Sequence, residues 1–73
     1  MEQKKILPFQ KLRGRIIEVF GTNANYAEFL GLSMVSLSAK LNKKTEFTRK
    51  EILAWCKNLG IPVKDIVPYF FED

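Results

Sequence analysis

The chain has no histidine and a single cysteine, Cys56. One thiol cannot close an intramolecular disulfide. Without histidine, the usual zinc ligand sets and the Ser–His and Cys–His nucleophile pairs are excluded as well. No apolar run approaches the roughly 20 residues that cross a bilayer. Lys4 and Lys5 are not followed by the unbroken apolar stretch of a signal peptide. Together these absences predict a cytoplasmic protein that does not engage a membrane. Carboxylate pairs such as Glu72 and Asp73 stand at a chain end where no pocket is implied. An enzyme, a cofactor and a small-molecule substrate are therefore not expected. Strand patterning is missing too, since valine and isoleucine neither alternate with polar residues nor cluster between turn signals.

What is present is helical periodicity in short pieces. With 73 residues, 47% of them hydrophobic, the chain suffices for one domain with a thin core. Residues 1–7 are expected to be an N-terminal arm and 68–73 a C-terminal tail. In the first helix Phe9, Leu12, Ile16, Val19 and Phe20 recur at three and four residues, and Gly21 ends it. Thr22 or Asn23 can cap the second, in which Tyr26, Ala27 and Leu30 face inward and Gly31 closes. The third opens at Ser33 and carries Leu37 and Leu41 as its core pair. Thr48 and Glu51 have the T-x-x-E spacing of a capping box at the head of the fourth. Ile52, Cys56 and Leu59 form its stripe, with Trp55 at the flank. A fifth helix is expected over Val63–Val67, ended by Pro68. The predicted fold is all-α, with five short helices around one core.

The order from Thr22 to Leu41 is informative. A short helix ends at Gly31, Leu32 and the cap Ser33 follow, and another short helix begins. Ala27 is small enough for two crossing helices to approach. This is the logic of a helix-turn-helix at helices two and three, with the second displayed as a reading helix. A net charge of +4 and a pI of about 9.4 suit an anionic partner, nucleic acid first.

The stretch "YAEFLGLSMVSLSAKLN" resembles the helix-turn-helix of the lambda repressor and Cro superfamily. The blocks "KLRGRIIEVFGT", "EFTRKEI" and "LGIPVKDIVPYFF" resemble small proteins of temperate phages from Gram-positive hosts. The layout is similar to that of the modulator-of-repression antirepressors. The resemblance implies a lambda repressor-like domain and a regulator of the lysis–lysogeny switch. Its partner would be the N-terminal helix-turn-helix domain of the phage repressor, or operator DNA, met alone or as a hetero-complex. Where such proteins usually carry a phosphate-orienting glutamine, this chain has the shorter Asn23. At the head of the reading helix, where the family often has Gln, Ser, Arg or Asn, it has Met34 and Val35.

On a helical wheel Val35 and Ala39 point away from the core, Ser36 and Ser38 flank them, and Met34 falls at the core edge. Ser33 starts the same surface. Methyls and one hydroxyl offer thin readout of bases, for which bidentate side chains are worth roughly 1–3 kcal/mol each. The same residues suit the apolar centre of a protein interface. Lys40, Lys43, Lys44, Arg49 and Lys50, interrupted by Glu46, are either phosphate contacts or a solvated loop. Glu28 is either a contact for a basic protein face or ordinary surface. Tyr69, Phe70 and Phe71 either pack back on the first helix or cross to a second subunit. Cys56 is expected to be an inert buried thiol.

Overall fold

The computed structural model describes residues 7–71. The expected arm is thus described only at Leu7, which is exposed, and residues 1–6, 72 and 73 lie outside the described residues. Four α-helices come first: α1 (Gln10–Phe20), α2 (Asn23–Leu30), α3 (Met34–Leu41) and α4 (Arg49–Leu59). A fifth helical segment follows, a 3-10 turn at Val63–Asp65 that continues into a wider π turn at Val67–Phe71.

Three helices start by the same device, a hydroxyl that accepts from a free backbone N–H of the first turn. Thr22 Oγ1 accepts from Asn25 N at 3.0 Å, and Ser33 Oγ accepts from Ser36 N at 3.1 Å. Thr48 Oγ1 accepts from Glu51 N at 3.0 Å, while Thr48 N donates back to Glu51 Oε1 at 2.8 Å, which completes the capping box. The turn between α2 and α3 depends on Gly31. Its φ of 75° lies in the left-handed region that side chains resist, and its N–H closes onto the Ala27 and Glu28 carbonyls.

The core gathers Leu12 and Ile16 of α1, Tyr26 and Ala27 of α2, Leu37 and Leu41 of α3, and Trp55, Cys56 and Leu59 of α4. Phe9, Ile61 and Phe70 close its ends. Burying each leucine or isoleucine contributes about 1.5–3 kcal/mol. A loop residue, Phe47, joins the parts: its ring meets Trp55 at 4.8 Å, Phe70 at 5.3 Å and Phe9 at 5.6 Å, each edge to face.

Three expectations need correction. Val19 is exposed, because the buried stripe of α1 continues through Phe20. Trp55 lies fully in the core, whereas Ile52 is only half-buried. Pro68 does not end the fifth helix: it sits just inside the turn that begins at Val67, a first-turn position where a missing N–H costs little. The three tail aromatics diverge in consequence. Phe70 is buried, Tyr69 is half-buried with Lys11 Nζ 5.5 Å from its ring centre, and Phe71 is 65% exposed. The π turn packs back on α1.

Two arginines of α1 tie the helices together. Arg13 Nε donates to Pro8 O at 2.7 Å, and its Nη2 donates to Leu41 O at 2.8 Å and Asn42 Oδ1 at 2.9 Å. Arg15 Nε donates to Leu59 O at 2.7 Å and Nη2 to Gly60 O at 3.3 Å, while Nη1 pairs with Glu18 at 3.1 Å. Each guanidinium therefore serves carbonyls at the C-terminal end of another helix, where the aligned peptide dipoles leave partial negative charge.

Candidate functional site

Leu37 and Leu41 turn one face of α3 into the core, which fixes what the opposite face shows. Val35 is 80% exposed and Met34 44%. Met34 is thus a surface residue rather than a core one. Together with Ser38, Ala39, Asn42 and Lys44 they line a shallow groove of about 330 Å³. Ser38 and Ala39 are half-buried, so Ala39 lies against the fold more than its wheel position implied. The exposed hydroxyls are partly used at home: Ser33 Oγ caps the helix and donates to Ser36 Oγ at 3.2 Å. Asn42 Oδ1 accepts from Arg13. The groove therefore offers methyls and a thioether with an ammonium at its edge.

The basic stretch divides. Lys40 turns inward: its Nζ lies 2.9 Å from Glu51 Oε2 and 5.4 Å from the centre of the Phe47 ring, with only 13% of the side chain exposed. It bonds α3 to the start of α4 and drops out of the phosphate set. The Lys40 ammonium, with the Thr48 N–H, holds the Glu51 carboxyl below its usual range. Lys43 follows the end of α3 in a left-handed conformation, φ 63°, where helices commonly place glycine. Its Nζ lies 5.4 Å from the Phe9 ring centre. Lys44, Arg49 and Lys50 are exposed. Arg49 and Lys50 stand in the first turn of α4, the positive end of its dipole, where cations do not stabilise a helix.

The other sequence candidates fall elsewhere. Asn23 opens α2 half-buried, and its Oδ1 is shut off from solvent with no hydrogen-bond partner, so that atom does not face outward toward a phosphate. Glu28 is exposed on the outer face of α2 and makes no ion pair among the described residues. Beside it Phe29, which sequence reasoning passed over, is 58% exposed. The signal was there: if Tyr26, Ala27 and Leu30 face inward, Phe29 must face out. Burial raises the Cys56 thiol and, against a 3.3 Å bond from Asn58, pushes the Tyr26 phenol up to about 12. Neither group titrates near neutrality. Among the described residues no cluster could hold a metal, and no helix is long and apolar enough to cross a membrane.

The fold has a counterpart among solved structures. The chain is similar, at 38% identity and a TM-score of 0.80, to the solution structure of the modulator of repression of the temperate bacteriophage TP901-1 from Lactococcus lactis. The likeness covers 90% of this chain and 89% of that one. No curated protein sequence matches. Residues 6–73 match a family described as protein of unknown function, DUF739, and the chain belongs to that family.

Proposed function

We propose that the chain regulates the lysis–lysogeny switch of a temperate phage in the host cytoplasm, as an antirepressor that binds and inactivates the cognate phage repressor. In this reading α2, the Gly31 turn and α3 form a lambda repressor-like helix-turn-helix, and α3 meets the repressor's N-terminal helix-turn-helix domain instead of bases. One observation carries the reading. The outer face of α3 centres on Val35 and Met34, and its own polar side chains there are the single hydroxyls of Ser36 and Ser38. The amide oxygen of Asn42 at its end is already bound to Arg13, so the helix is poor in the bidentate contacts by which a reading helix discriminates bases. An apolar centre with a polar rim is where a protein interface concentrates its binding energy. The similarity to a modulator of repression agrees with it. The test is gel filtration of the chain mixed with the intact cognate repressor. A complex is expected for the native chain and its loss for Val35→Asp, which places an unpaired carboxylate at the interface centre; no complex with the native chain would sink the reading.

A second reading, a Cro-like repressor that binds operator DNA directly, draws on Lys44, Arg49 and Lys50. Two of these cations sit where they do nothing for their own helix. A discrete footprint produced by this chain alone, weakened by Lys44→Glu with Lys50→Glu, would favour it. Purely non-specific binding that falls steeply with salt would count against it.

A further inference from the structure

The outer face of α2 differs in chemistry from the rest of the surface. Tyr26 and Ala27 turn inward, which leaves two adjacent rows outside, Ala24 with Glu28 and Asn25 with Phe29. No residue of α2 is basic, although the chain carries 12 lysines and arginines. Glu28 makes no ion pair among the described residues. Phe29 lies tilted against Phe20, at 5.1 Å between ring centres, and stacked over Tyr26 at 6.2 Å, and it leaves more than half of its surface open. Asn25 has its Nδ2 bound to Phe20 O at 2.8 Å, which fixes the amide beside Phe29. Ala24 is small enough to let another backbone approach.

We infer that this face is a second protein-binding surface, which takes a cationic partner face: an arginine or lysine against Glu28 and an apolar side chain against Phe29. The inference rests on the antirepressor reading and deepens it. A DNA-binding protein presents a basic surface, which Lys44 at the edge of the α3 groove would repel. The α2 face removes that conflict, because it offers a lone carboxylate and an open ring with no cation of its own. Nucleic acid does not fit there, since Glu28 repels phosphate. A second copy of this chain, approaching through its own Arg49–Lys50 edge, is the competing occupant.

Calorimetric titration of the chain with the intact cognate repressor decides it. Glu28→Arg is expected to weaken binding about tenfold or more, and Glu28→Gln less, with a shallower salt dependence. Both are exposed helix substitutions whose folding is checked by the thermal midpoint. Phe29→Ala should weaken binding without changing the salt dependence. If the native chain binds and Glu28→Arg binds equally well, the α2 surface is refuted while the antirepressor reading stands. If the native chain does not bind, both fall. If the chain alone forms a dimer that Glu28→Arg dissociates, the partner of this face is a second copy and the assignment is overturned.

Discussion

Two basic regions of the molecule use the same charge in opposite ways. Arg13 and Arg15 on α1 are half-buried, and their guanidinium groups are bound to main-chain carbonyls at the ends of α3 and α4 and before α1. Lys44, just past the end of α3, and Arg49 and Lys50, in the first turn of α4, stand in solvent. The planar fork of arginine satisfies several carbonyls at once, which an ammonium on a flexible stem cannot do as well. A net charge of +4 therefore says little about how much positive surface a partner meets. Lys40 makes the point within one stretch: it lies among the exposed cations in sequence and among the structural ones in space.

The sharpest way to break this comparison is at Arg13. Arg13→Ala should cost about 2 kcal/mol by urea unfolding, because half-buried carbonyls lose charge-assisted bonds. Arg13→Lys should recover only part of that loss. An equal midpoint for Arg13→Ala and the native chain would show that these bonds add nothing. Next comes the joint between the two regions, the start of α4. Removing its cap with Thr48→Ala should cost about 1 kcal/mol, read from the same unfolding curves.

A smaller effect follows from Glu51. Its carboxyl is held below the ordinary value of 4.5 in the folded chain. A lowered folded pKa gives stability that is present above that ordinary value. It is lost as the pH falls from there through the folded pKa. The thermal midpoint should therefore drop below about pH 4.5, and Glu51→Gln should flatten that part of the profile; an unchanged slope in the variant would assign the drop to other carboxylates. The smallest effect belongs to the exposed set. Lys50→Ala should change stability by no more than about 0.5 kcal/mol. A loss comparable to that of Arg13→Ala would erase the distinction between the two regions.

Much of this was legible in the order of residues. The caps at Thr22, Ser33 and Thr48 and the stops at Gly21, Gly31 and Gly60 are local chemistry, and the helices begin and end there. Leu37 and Leu41 set the orientation of α3, and with it the exposure of Val35. What was not legible depends on distance in space. Phe47 sits in a loop with no periodicity to mark it, yet it joins Phe9, Trp55 and Phe70. Arg13 reaches a carbonyl 28 residues away and Arg15 one 44 away, and no spacing rule announces such bonds. Lys40 found Glu51 only because α3 and α4 meet there.

By itself, then, the sequence determined where the four α-helices form and which way α2 and α3 face, because capping, glycine turns and apolar period act within a few residues. The tertiary structure decided which polar side chains are used up in holding the fold and which remain for a partner. A carbonyl at a helix end or a carboxylate across a gap can claim a cation only once the helices have packed. That is why Val35 could be read as exposed from its neighbours, and why Lys40, Lys44 and Glu28 could be told apart only in the folded chain.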